Sequence, residues 1–371
     1  MLRGGCSFQM EYDTAVVGAG PVGSMSAIHA QKRGDALILG VPDARCRCAG
    51  LVSTSGLQAI GAYDKKFILN TVRGARIFSP GGVEVEVDAK GEKACVIDRV
   101  LFDKTLFERA LDAGCENVSE TVTNVKYDVV TSSGKTFSAG RRILATGADY
   151  SLHKTCGLTY PKRFLTSAQY ELEVECDRDF VELYFNVPGF FSWLVPVEDS
   201  VRVGLATWSE PVKHLNEFIK FLDKQGRLKS DRIFSKSYGP IPIYEPSVKT
   251  QCGECVSVGD AAGQVKATSG GGIVFGCLAA MHACEGDYER LWRRELGGEL
   301  RLHLLIHNFL NRLSPEKTDR LFSIVAEHKR DLESSGDMDY ASKTVLGFLR
   351  DPGFVSKFLA NAPGLLLDII R

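Results

Sequence analysis

Residues Tyr12–Gly23 read YDTAVVGAGPVG, and the fold turns on how that stretch is parsed. Tyr12–Val17 is short and rich in small and β-branched residues, as a buried strand is. It ends in Gly18, Gly20 and Gly23. From Pro21 to Arg33 the pattern becomes helical, with Val22, Met25, Ala27, Ile28 and Ala30 on one side, until Gly34 stops it. Ala36–Leu39 (ALIL) then reads as a second buried strand. A strand–turn–helix–strand unit of about 30 residues is the setting of a dinucleotide-binding fingerprint. Gly18 allows the tight turn, Gly20 lets the backbone approach a pyrophosphate, and Gly23 permits close helix–strand packing. The helix N-terminus supplies N–H donors and partial positive charge. One expected part is missing. The carboxylate that should hold the ribose about 20 residues on is replaced by Gly40, and Asp43 is the candidate to reach back in its place. The competing reading of Asp43 is an ordinary loop aspartate.

The whole chain sets bounds on that reading. Its 371 residues suggest two to three domains. Apolar residues at 44% and charged residues at 25% are ordinary globular usage. Lys plus Arg is 45 against 46 Asp plus Glu, a net charge of −1, which gives no electrostatic case for a nucleic-acid partner. No stretch reaches the roughly 18 apolar residues of a membrane span. Met1–Met10 has no apolar run behind Arg3, so no secretory signal is expected, and Met10 is a candidate start. The eleven scattered cysteines read as reduced thiols of a cytoplasmic protein rather than a disulfide frame.

Further along, the periodicity changes. Arg73–Val87 holds two alternating runs about Pro80-Gly81-Gly82, a hairpin. Phe102–Ala113 is helical, and Val118–Val130 and Thr136–Leu144 are strand candidates. Ala168–Cys176, Val181–Phe185 and the hairpin Trp193–Ala206 alternate, and His214–Gln225 is a short helix. Cys255–Val258 is a buried strand running into Val258–Ile273, VGDAAGQVKATSGGGI. Beyond Gly286 the pattern is helical. The expected class is α/β, α+β overall: a Rossmann-like dinucleotide-binding domain with an inserted antiparallel sheet and a helical C-terminal region. The boundaries expected are 10–72, 98–160 and 251–288 for the nucleotide domain, 73–97 and 161–250 for the inserted one, and 289–371 for the helices. The second glycine–aspartate motif points to a flavin dinucleotide. Asp260 suits ribityl hydroxyls, and the helix opening at Gly271-Gly272-Ile273 suits a ring carbonyl that gains charge on reduction.

With these residues in place, the chain resembles the geranylgeranyl reductase family of FAD-dependent oxidoreductases, and more widely the flavoprotein hydroxylase superfamily. The resemblance runs from about Tyr12 to Ala283 through GDAAGQVKATSGGGI, RVLFD at Arg99–Asp103, ADYS at Ala148–Ser151 and CAGL at Cys48–Leu51. It implies FAD contacts from Gly23, Ser24, Cys48, Ala49, Leu51, Arg99, Val122, Asp260, Gly272 and Ile273. The family's aromatic motif, Tyr-x-Trp-x-Phe-Pro, is matched within PGFFSWLVP (Pro188–Pro196) by Trp193 and Pro196. Phe191 stands for its tyrosine and Val195 for its phenylalanine. The resemblance thus implies an apolar substrate site at Phe191, Trp193 and Pro196.

It also implies reduction of isolated carbon–carbon double bonds in a prenyl-chain lipid, with FAD as hydride source. NADPH, ferredoxin or another carrier would be the electron donor. Cys48 is the candidate acid, and plain packing is its competing reading. Two other functions share the scaffold: a flavin monooxygenase or halogenase, and a flavoprotein electron carrier. Cys252-Gly253-Glu254-Cys255 lacks a second pair at zinc spacing and reads as structural thiols. His303 and His307 share a helix face. The C-terminal apolar residues Leu346, Phe348, Leu349, Phe354, Phe358, Leu359 and Leu365–Leu367 either cap the core or touch a membrane surface.

Overall fold

The computed structural model describes residues 10–45 and 48–361. Cys46 and the run Leu365–Leu367 lie outside them. The strand read from YDTAVV, β1 (Met10–Val17), is central in a sheet whose parallel strands are β18 (Cys255–Ser257), β11 (Thr136–Leu144), β1, β2 (Ala36–Leu39) and β8 (Glu116–Val118). All four residues of β2 are buried, as expected of a parallel strand covered on both faces. β17 (Gln251–Cys252) pairs with β18 at one edge, so Cys252 and Cys255 are hairpin partners. The run Val118–Val130 is not one strand. It is cut into β9 (Val122–Asn124) and β10 (Val129–Thr131), which fold back on β11. The break is an Asx turn, in which the Lys126 amide donates to Asn124 Oδ1 at 2.7 Å.

Helix α1 (Pro21–Gln31) follows the glycine turn. Pro21 presets its first turn, no side chain caps its N-terminus, and its small residues let it pack on α3 (Arg99–Asp112) and α5 (Ile273–Ala280). Helix α3 starts three residues before the apolar pattern does, because Asp98 accepts from the Val100 and Leu101 amides.

A second sheet has the order β16 (Leu228–Pro242), β12 (Phe164–Val174), β15 (Ser200–Thr207), β14 (Phe190–Val197), β13 (Phe180–Val187), β5 (Gly74–Phe78), β6 (Glu84–Asp88). The 74–88 hairpin joins it through a parallel β5–β13 pairing. Helix α4 (Pro211–Lys224) covers one face with Leu215, Phe218 and Leu222, three side chains at helical spacing. Between the two sheets lies a three-stranded one, β3 (Leu51–Ser53), β7 (Ala94–Ile97), β4 (Ile68–Val72), with α2 (Thr54–Ala59) behind it. The C-terminal part is helical: α6 (Tyr288–Leu310), α7 (Pro315–Glu327), α8 (Lys329–Ser335), α9 (Ala341–Arg350) and α10 (Pro352–Asn361). Among the described residues no helix is long and apolar enough to cross a membrane.

Candidate functional site

The two glycine motifs meet. A Cβ on Gly18 would lie 2.4 Å from the Ala145 oxygen, and one on Gly23 would lie 1.9 Å from the Gly18 oxygen. Both positions are closed to any side chain, and Gly18 also has φ +107°. Gly20 is different. It has an ordinary φ, and nothing lies within 4 Å of where its Cβ would be. That is the opening a pyrophosphate needs. Ser24, fully buried one turn on, donates to the Ala19 oxygen at 3.4 Å. Val22 links this turn to the other motif, because its methyls fill the space beside Gly259 and Gly276.

In the second motif the chain leaves β18 at Ser257 and turns at Gly259-Asp260. The Asp260 carboxylate abuts Gly272, where a Cβ would sit 2.4 Å from Oδ1. Helix α5 begins at Gly272 and Ile273 with no side-chain cap, so its first N–H groups are suited to an acceptor other than its own side chains. Burial pushes the Asp260 carboxyl up, and the positive charge of Arg99 pulls it back. Arg99 is itself fixed by Asp103 in a two-pronged pair of 2.9 and 3.0 Å. The carbonyls of Asp260 and Ala261 accept from Tyr150 Oη (3.1 Å) and His153 Nε2 (2.8 Å), so the ADYS segment and the turn after it form a strut under the aspartate turn.

Cys48, Ala49 and Leu51 lead into β3 on the opposite side. Cys48 Sγ accepts from the Gly50 amide at 3.3 Å. Ala49 and Leu51 pack on a cluster containing Phe190, Phe191, Trp193, Val195 and Ala267. Phe190 and Phe191 stack at 4.0 Å, and Trp193 meets Phe191 edge-on at 6.3 Å. Gly270, in the glycine loop, abuts Ile241 and Phe190.

Three of the candidates stand apart. Val122 packs beneath the parallel sheet with Val17 and Leu39. In β14 the period of two puts Pro196 on Leu194's face, away from Trp193. Asp43 is exposed and accepts from the Arg45 amide at 3.0 Å.

Two polar residues that the sequence did not mark, Gln169 and Arg202, hold the Cys48 segment on the sheet. Trp193 Nε1 donates to Gln169 Oε1 at 3.0 Å, and Gln169 Nε2 reaches the Cys48 oxygen at 3.4 Å. Arg202, 6% exposed, donates to the Ala49 and Ile97 oxygens. Leucine at 169 leaves the buried indole N–H without its acceptor. Gln169→Leu is expected to lower stability by about 1–3 kcal/mol and to shift the tryptophan fluorescence, which a urea titration reads together.

Neutral histidines also brace the loop. His303 contacts Thr268 Oγ1 (2.6 Å) and the Asp339 oxygen (3.0 Å). His307 lies beside Phe190, and burial lowers it to about 4; burial also lowers His303 and His153. Unfolded histidines protonate near 6.5, so below that pH the unfolded chain binds more protons than the folded one. Their contribution is complete above about pH 6.5 and is lost as pH falls towards 4. His307 accounts for about 3 kcal/mol of that loss. Denaturation midpoints between pH 7 and 4.5 should fall, and in His307→Leu they should fall less steeply.

No family model matches the chain. It is 31% identical to digeranylgeranylglycerophospholipid reductase 1 of Methanothermobacter thermautotrophicus, over 87% of this chain and 91% of that protein. It is 29% identical to digeranylgeranylglycerophospholipid reductase of Methanocaldococcus jannaschii, over 85% and 91%. Among solved structures, a geranylgeranyl bacteriochlorophyll reductase-like protein from Thermoplasma acidophilum matches with TM-score 0.81 and 22% identity, over 98% of this chain and 99% of that one. A flavin-dependent brominase matches at 0.64 and 15%, over 95% and 93%. The fold is therefore the one shared by flavin-dependent reductases, halogenases and monooxygenases. Within it, the chain belongs to the digeranylgeranylglycerophospholipid reductase family, a branch of the geranylgeranyl reductases.

Proposed function

We propose that the protein is an FAD-dependent reductase that saturates carbon–carbon double bonds in the prenyl chains of a membrane lipid. One observation carries this reading. The Gly270 loop packs directly on Phe190 and Ile241, so the uncapped start of α5 and an aromatic, apolar wall belong to one site.

The residues fit the cofactor. The opening at Gly20 and the α1 N-terminus would take the pyrophosphate, with Ser24 behind the turn and Arg99 supplying positive charge. Asp260 would accept from ribityl hydroxyls, and the Gly272 and Ile273 amides would face the ring's pyrimidine edge. Reduced FAD, when bound, supplies the two electrons of the reduction. Phe190, Phe191 and Trp193 would hold the alkene dry and in place, which an unactivated double bond requires. Cys48, oriented by the Gly50 amide, would hold the proton at Sγ for the second carbon.

Anaerobic incubation of the dithionite-reduced holoprotein with a digeranylgeranyl lipid, read by mass spectrometry, should give gains of two mass units per bond reduced. Product formed only with stoichiometric oxygen uptake would overturn the reading in favour of a monooxygenase. Cys48→Ala should retain FAD and slow turnover about 10²-fold; unchanged turnover removes Cys48 from the chemistry.

A further inference from the structure

The strand β16 is the edge of its sheet and, at fifteen residues, the longest strand described. In its middle, Asp231–Lys236 are six exposed residues in succession. Neighbouring residues on a strand face opposite ways, so here both faces of the ribbon are uncovered. The pairing with β12 also shifts twice alongside this stretch, which twists the edge away from the sheet. A solvated ribbon would be polar on both faces. This one exposes Ile233 (38%), Phe234 (41%) and Tyr238 (46%). Lys229, Arg232 and Lys236 lie among them against the single acid Asp231. The Arg232 guanidinium sits 4.8 Å over the Phe234 ring, and the Lys236 ammonium 4.9 Å over the Tyr170 ring. Apolar and aromatic side chains interleaved with cations match a bilayer interface, with rings at the headgroup level and cations towards anionic phosphates. The same charges oppose the other use of a bare edge. A second copy pairing antiparallel would bring three cations against three.

The ribbon also adjoins the candidate site. Ser237, directly after it, hydrogen-bonds Gln169 at 3.5 Å, and Gln169 reaches both Trp193 and the Cys48 oxygen.

The geometry points to Lys229–Tyr238 of β16 as a docking edge for an anionic lipid bilayer, which brings the reduction site to the surface where its substrate resides. This rests on the prenyl-lipid reading above for its purpose. Its test needs no turnover.

The full holoprotein is sedimented with vesicles of phosphatidylglycerol and phosphatidylcholine, and with phosphatidylcholine alone. The chain should pellet with the anionic vesicles only and be released by high salt. Ile233→Ser with Phe234→Ser should weaken binding at least about tenfold. Arg232→Ser with Lys236→Ser should weaken it by about fivefold for each cation removed. Both variants should keep bound flavin and unaltered turnover of detergent-dispersed substrate, which shows that they fold. No sedimentation of the intact chain overturns the proposal. So does undiminished sedimentation of both variants, or a dimer on gel filtration that the variants dissolve. A chain that pellets as expected but reduces no prenyl lipid leaves the docking edge standing and removes the enzymatic reading instead.

Discussion

The variant Gly20→Val folds normally and emerges colourless. Valine's Cβ meets nothing within 4 Å at this position, and the backbone there is in an ordinary region with φ −73°. The side chain therefore enters without strain, although valine costs the turn some conformational freedom. What it fills is the space over the α1 N-terminus, which has no side-chain cap of its own and offers backbone N–H groups and a helix dipole to a pyrophosphate. Two methyl groups there hold the phosphates beyond hydrogen-bond reach. The expected loss is about a thousandfold in FAD affinity, or about 4 kcal/mol. Alanine at Gly23 should behave in the opposite way, since its Cβ meets the Gly18 oxygen and the turn itself must give. Circular dichroism and FAD titration of the two apoproteins separate the cases. Gly20→Val keeps its melting transition and loses the ligand, whereas Gly23→Ala loses stability first. Gly20→Val that binds FAD as tightly as the parent chain would show that the dinucleotide does not cross this turn.

Much of this was legible in the chain because it is written in short-range patterns. The glycine turn, β1, α1 and β2 occupy 30 consecutive residues, and each is set by its neighbours' size and period. The hairpin about Pro80–Gly82 and the Trp193–Ala206 hairpin are equally local. What escaped reading depends on partners far away. β16 carries two prolines and a polar run without clean alternation; it is a strand because β12 pairs with it. Gln169 and Arg202 alternate with apolar residues and so read as a solvent face. That face is the one turned towards Cys48 and Ala49, and no short-range pattern distinguishes it, because Gln169 alternates along β12 with Glu171 and Glu173 as a solvated side would. Pro196 illustrates the limit of a motif: the six contiguous residues Phe191–Pro196 fall on two faces of one strand. Asp98 was a missed local signal, an N-cap four residues before Phe102, where the apolar helical pattern begins.

The largest effect on stability should come from Asp339, which no local pattern marks. Its carboxylate lies 2.5 Å from Lys266 Nζ in the glycine motif, with side-chain exposures of 3% and 7%. Ser53 at the start of α2 also bonds it, and Lys266 donates to the Met338 oxygen at 2.9 Å. His303 reaches the Asp339 carbonyl from α6. Four separate parts of the chain thus converge on one buried ion pair, and the loop opening α5 is tied through it to the C-terminal helices. Removing one partner strands the other's charge away from water. Asp339→Leu should therefore cost about 3–5 kcal/mol. The attraction within a buried pair barely exceeds the cost of dehydrating both ions, so Lys266→Met with Asp339→Leu should recover most of that loss. The Gly270–Gly272 loop would then keep its packing on Phe190 but lose its tether to residue 339. Urea midpoints of the two single variants and the double one give the coupling. Hydrogen exchange at residues 266–276 reports the tether separately, and should accelerate in all three. If the double variant is as unstable as the two single losses added together, the pair is not acting as a unit, and the C-terminal helices are held to the glycine loop by their apolar contacts instead.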